Sequence, residues 1–85
     1  MTTAPPADAL IIYGTSWCGP CRTLKRLLSE HDVDFVYVDI ETTPAAADFV
    51  MKINGGNQMV PTVLFPDGTT LTNPRLSDVT SRLGR

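Results

Sequence analysis

The sequence predicts an α/β domain of three layers: a four-stranded mixed sheet covered by helices, with elements in the order β-α-β-α-β-β-α. Three observations predict it. Apolar, β-branched runs alternate with segments of helical periodicity, the last two runs are joined by the turn Pro66-Asp67-Gly68, and 85 residues suffice for a single domain spanning 1–85. Such alternation calls for right-handed crossovers between parallel strands, with the closing hairpin supplying an antiparallel edge. Residues 1–8, with their Ala and Pro content, are expected to be flexible.

Ala9-Leu10-Ile11-Ile12-Tyr13 is a continuous apolar run, ended by Gly14-Thr15-Ser16, and predicts a central strand buried on both faces. From Pro20 to about Glu30, Cys21, Leu24, Leu27 and Leu28 form one helical stripe with Arg22, Lys25 and Arg26 on the outer side. Pro20 suits the first helical turn, where its missing N–H is not needed. Asp34 to Ile40, centred on Phe35-Val36-Tyr37-Val38, predicts the second strand. Thr43-Pro44 then opens a helix running through Ala46, Phe49, Val50 and Ile53 to the stop Asn54-Gly55-Gly56. Val60 to Phe65 and Thr69 to Leu71 are the hairpin strands, and Asn73-Pro74 is expected to cap a last helix reaching about Leu83. Phe35, Phe49, Phe65 and the methionines read as packing, Tyr13 as core, and His31 as a solvated charge partner at the end of the first helix.

Composition excludes several function classes. Seven Lys+Arg against nine Asp+Glu give a formal charge of −2, which offers no basic face for a nucleic-acid backbone. No run approaches the roughly 18 apolar residues of a membrane span, and Met1 to Ala9 lack the basic and apolar regions of a secretion signal, so a cytoplasmic protein is expected. Small secreted domains held by disulfides need more than two cysteines, and a bridge closing so short a loop removes little chain entropy. The cysteine pair is therefore read as reactive. A zinc site would need two further nitrogen or sulfur ligands, and His31 is the only other candidate, so no metal is expected.

Cys18 stands where a strand turns into a helix. Unpaired N–H groups and the positive helix end favour an anion there, so Cys18 is expected to attack as a thiolate, with Arg22 and Lys25 as minor, solvated contributors. Cys21, one turn on and on the buried stripe, is expected to resolve the mixed disulfide from within the same chain. Gly19 permits the tight turn between them and Pro20 stiffens it. Trp17 is expected to flank the site.

At Trp17-Cys18-Gly19-Pro20-Cys21 the chain resembles thioredoxin, and over nearly its whole length it resembles the glutaredoxins, through Tyr13-Gly14-Thr15-Ser16-Trp17 and Val60-Pro61-Thr62. Thr15-Ser16-Trp17-Cys18, Asn54-Gly55-Gly56-Asn57, Val60-Pro61-Thr62-Val63 and Asp67 to Pro74 are similar to the actinobacterial mycoredoxins. The resemblance implies a thioredoxin-like fold of glutaredoxin type and a cis Val60–Pro61 bond facing Cys18, with Val60 offering its backbone to substrate. It implies reduction of mixed disulfides between proteins and a low-molecular-weight thiol, with mycothiol as co-substrate, no bound cofactor, a flavoprotein reductase or thiol/reductase couple as partner, and a monomer. Thr72 and Asn73 are candidate ligand contacts, although a helix cap alone suffices to explain Asn73. Two departures stand out. Thioredoxins place a buried Asp six residues before the first Cys, where this chain has Ile12. Glutaredoxins hold glutathione with a basic residue on the first strand and a glycine-rich loop before the last helix; here Leu10-Ile11-Ile12 and Thr72-Asn73-Pro74 replace them. Gly-Pro between the cysteines favours a rival reading, a general protein disulfide reductase served by thioredoxin reductase, with a potential near about −270 mV rather than about −200 to −230 mV. A rival of another class is an iron–sulfur binder in which Cys18 of two chains and two external thiols hold the cluster.

Overall fold

The computed structural model describes residues 10–84; the expectation for residues 1–8, and the start of the first strand at Ala9, lie outside the described residues. The elements are β1 (Leu10–Gly14), α1 (Gly19–Glu30), β2 (Phe35–Asp39), α2 (Pro44–Ile53), β3 (Thr62–Leu64), β4 (Thr70–Thr72) and α3 (Leu76–Arg82). The sheet order is β2-β1-β3-β4, with β1 parallel to β2 and antiparallel to β3, and β3 antiparallel to β4. Ile12 sits at the centre of the sheet, level with Tyr37 on β2 and Val63 on β3.

Side-chain alternation along β1 separates two cores. Leu10 and Ile12 point to one face, where Leu24 and Leu28 of α1, Val79 of α3, Val33, Val63 and Phe65 close the larger core. Tyr13 and Val38 point to the other, against Ile40, Ala46 and Val50. The Tyr13 ring lies 5.2 Å from that of Phe49. β1 is thus the middle of three layers, but its two faces differ: Leu10, Ile12 and Gly14 are buried, whereas Ile11 and Tyr13 are half-buried, Tyr13 against Phe49 of α2.

Several boundaries move from their expected places for local reasons. β3 begins at Thr62 rather than Val60, because Pro61 has no N–H to give to a ladder. The hairpin closes through Phe65 N–H to Thr69 O at 2.8 Å and Gly68 N–H to Phe65 O at 2.9 Å, which delays β4 by a residue. Thr43 makes no side-chain cap on α2. The helix stops as expected, with Gly55 at φ 71°, Gly56 at φ 111° and Gly56 N–H bonded to Met51 O at 2.7 Å. Ile53, in the last turn of α2, is 39% exposed.

The start of α3 is a correction. Asn73 is not its cap: it adopts φ 51°, a left-handed conformation asparagine tolerates, and gives its N–H to Pro61 O at 2.7 Å. Pro74 and Arg75 carry the chain onward, and α3 starts at Leu76, with the Asp78 carboxylate accepting the Arg75 N–H at 2.9 Å.

Leu28, without exposed surface, anchors α1 in the larger core. Leu28→Ala is expected to cost about 3 kcal/mol, read as a lower urea midpoint at unchanged slope. Arg26→Ala, which removes the exposed Arg26–Glu30 pair at 3.3 Å, is expected to cost under about 0.5 kcal/mol.

Candidate active site

β1 ends at Gly14, and Thr15-Ser16-Trp17 carry the chain to Cys18, which is the N-cap of α1. The Cys18 backbone is extended, and its Sγ accepts the Cys21 N–H at 3.2 Å. A second bond, Arg22 N–H to Cys18 O at 3.1 Å, closes the first helical turn. The helix N-terminus and this N–H both face the sulfur, the arrangement in which negative charge is favoured. Gly19 is the first helical residue rather than a strained turn, and a Cβ there would meet nothing within 4 Å. Its missing side chain leaves the approach to Cys18 open, and Pro20 occupies the first turn.

The two cysteines are free thiols and unequal. Cys18 is 6% exposed and Cys21 0%. Burial pushes the Cys21 thiol up to about 11, and the Cys18 side chain adds to this; the Thr15 backbone and the Tyr37 hydroxyl work against it. Cys21 is a protonated thiol at neutral pH.

An open groove of about 590 Å³ leads to Cys18, with Trp17, Gly19 and Pro20 on one side and Asn57, Gln58, Met59 and Val60 on the other. Trp17 is 68% exposed and donates its indole N–H to a Glu41 carboxylate oxygen at 2.9 Å, which ties the β1–α1 loop to the end of β2. The Val60–Pro61 bond is cis; Val60 lines the groove and Pro61 is buried behind it. Thr72 and Asn73 stand outside the lining. Thr72 donates its hydroxyl to Asn54 Oδ1 at 2.6 Å, while Asn73 holds Pro61 through its N–H.

Asn54 is the hub of a brace that residue-by-residue reading missed. Its Nδ2 donates to Val50 O at 3.0 Å and to Thr62 Oγ1 at 3.2 Å; Thr62 in turn donates to Met59 O at 2.8 Å. The far wall of the groove is thereby hung from the end of α2 and the start of β3. Met59, read from sequence as packing, is 47% exposed on that wall. Lys25, read as solvated, is half-buried, its Nζ 3.9 Å from the centroid of the Tyr37 ring. Arg22 is exposed on the outer side of α1.

A sheet with this strand order, and a Cys-x-x-C pair at the N-terminus of its first helix, defines the class of thioredoxin-like dithiol proteins. A family model described as glutaredoxin matches residues 10–69. A protein of Mycobacterium tuberculosis strain H37Rv named as a glutaredoxin is 53% identical over 75 residues, covering 88% of this chain and 89% of the relative. Mycoredoxin 1 of Corynebacterium glutamicum is 38% identical over 72 residues, covering 85% and 89%. The crystal structure of a glutaredoxin from Methanosarcina mazei superposes with a TM-score of 0.76 at 25% identity, covering 93% of this chain and 81% of that one. The chain belongs to the glutaredoxin family and is a thiol–disulfide oxidoreductase. Among the described residues, no helix is long and apolar enough to cross a membrane.

The unequal thiols make a labelling prediction. Iodoacetamide at neutral pH is expected to modify Cys18 and spare Cys21 in the folded protein, with both modified after unfolding, as read by peptide mass spectrometry. Folding raises the Cys21 thiol from 9.0 to about 11, so its contribution to stability is complete below about pH 9 and lost as pH rises through about 11. Reduced protein should lose stability over that window more steeply than Cys21→Ala.

Proposed function

We propose that this chain reduces mixed disulfides between proteins and a low-molecular-weight thiol, that the thiol is mycothiol, and that Cys18 attacks while Cys21 resolves. The observation that carries the reading is the lining of the groove beside Cys18: aromatic, apolar and carboxamide groups, with no charged side chain among the described residues that line it. Glutathione would bring two carboxylates into it with no cation among the described lining residues to meet them. Glu41, held against Trp17 at the rim, adds a negative charge that disfavours them further. A sugar-bearing thiol brings hydroxyls, which suit the carboxamides of Asn57 and Gln58. The relation to a mycoredoxin of Corynebacterium glutamicum supports the same choice.

The Cys18 thiolate attacks the mycothiol sulfur of the mixed disulfide; that S–S bond breaks, and the protein thiolate leaves and takes a proton from water. The Cys21 sulfur then attacks Cys18 Sγ, mycothiol leaves as the thiol with the proton that Cys21 gives up, and a Cys18–Cys21 disulfide remains. Two electrons from an external thiol or a flavoprotein reductase restore the dithiol. The protein acts in this reading as a cytoplasmic monomer without a bound cofactor, contacting substrate through Trp17 and Val60.

Turnover of a protein–mycothiol mixed disulfide, with mycothiol and its reductase as the electron source, tests the reading. Cys18→Ser should abolish reduction, and Cys21→Ser should accumulate the mixed disulfide while keeping only reactions that external thiol completes. Equal loss in both variants overturns the assigned roles. Turnover with glutathione as fast as with mycothiol overturns the thiol, and faster recycling by thioredoxin reductase favours the general protein disulfide reductase.

A further inference from the structure

The buried sulfur of Cys21 has a neighbour that neither the groove nor the helix end accounts for. Tyr37 lies on β2 level with Ile12 of β1, and its hydroxyl reaches over the end of β1 into the space beside Gly14. A Cβ on Gly14 would overlap the Tyr37 hydroxyl and come within 2.9 Å of Cys21 Sγ, so phenol and thiol converge on the one position in β1 that carries no side chain. The hydroxyl donates to Thr15 O at 2.8 Å, and the Lys25 ammonium caps the ring at 3.9 Å from its centroid.

We infer that Tyr37 is the hydrogen-bond donor that assists Cys21 when it resolves the mixed disulfide, and that Lys25 is a positioning residue holding the Tyr37 ring. The inference rests on the resolving role proposed above for Cys21.

The resolving step requires an electron pair on a sulfur that has no exposed surface. As the S–H proton departs, negative charge grows where water cannot solvate it, and an unassisted thiolate there is costly. The charged and titratable groups around the ring are Lys25 on α1, Cys18 and Cys21 at the start of α1, and Asp39 on β2 itself. Ile12, level with the ring on β1, offers no polar atom. Rotation of the Tyr37 hydroxyl from the Thr15 carbonyl toward Cys21 supplies an O–H···S⁻ bond at the moment the charge appears. The phenol is a donor and not the base: burial, then the neighbouring Cys21 thiol, holds it well above the ordinary tyrosine range, so it keeps its proton. The proton from Cys21 goes to the departing thiolate. The new Cys18–Cys21 bond takes the Cys21 electron pair, and the broken S–S bond's pair leaves with the thiolate, so electrons and protons balance.

Reduced protein mixed with dithiobis(nitrobenzoate) separates the two steps, because the first coloured thiol reports attack by Cys18 and the second reports release by Cys21. Tyr37→Phe keeps the ring and its packing. It should slow the second release about tenfold at neutral pH and leave the first release at its wild-type rate. The pH midpoint of the second release should rise by about one unit. Lys25→Met should slow the second release by a smaller factor, about threefold, in the same direction. An unchanged second release in Tyr37→Phe overturns the inference, and so does an equal slowing of both releases or a slowing without movement of the pH profile, since these mark a role in the fold alone. A second release that persists in Cys21→Ser would overturn the resolving role itself, whatever Tyr37 does.

Discussion

The hydrogen bond from the Cys21 N–H to Cys18 Sγ is the contact on which the site depends, because it makes the first cysteine both the cap of α1 and the sulfur nearest the second. For it to form, β1 must deliver the chain to the start of α1 within a few residues, and α1 must start at once. The first condition is met by burying Leu10 and Ile12 under α1 and α3, and the second by Pro20, which needs no partner for its nitrogen in the first turn. The larger core is, in this sense, a device for holding one sulfur at a helix end.

The opposite wall of the groove is made differently. It contains little regular structure, and residues 57–61 are held by side-chain hydrogen bonds and the single backbone bond from Asn73 N–H to Pro61 O instead of a ladder. Asn54 and Thr62 supply these, with Thr72 fixing the Asn54 carboxamide from the edge strand. Thr62 is fully buried, yet its hydroxyl both donates and accepts, so its burial leaves nothing unpaired. One side of the groove is rigid through packing, the other through polar contacts.

The order of elements, the mixed sheet and the cysteine pair were legible because each is written in local pattern: apolar runs for β1 and β2, a stripe for α1, turn residues for the hairpin. Asn54-Gly55-Gly56 was read correctly as a stop, but a stop signal explains only the backbone; that the Asn54 side chain then reaches Thr62 and Thr72 depends on how β3 and β4 return beside α2. Asn73 misled for a related reason, since Asn before Pro is a good cap by local rule, while the pull of Pro61 O on its N–H comes from across the fold. Tyr37 read as one aromatic in a strand, and Lys25 as one cation on an outer face. The alternation of elements announces that β1 and β2 lie parallel, but not the register that sets Tyr37 beside Ile12 and brings the phenol to the empty side of Gly14.

The burial of Cys21 also bears on what an oxidant can do to the site. A peroxide dissolved in water can reach Cys18, which lines the groove and keeps a sliver of exposed surface, but finds none on Cys21. The first product there is a sulfenic acid, and the irreversible sulfinic and sulfonic acids require further encounters with oxidant. Under the resolving role proposed for Cys21, the shielded thiol one helical turn away would condense with that sulfenic acid, releasing water and leaving a disulfide that ordinary thiol exchange can reverse. Keeping the second sulfur dry therefore protects the first from permanent damage.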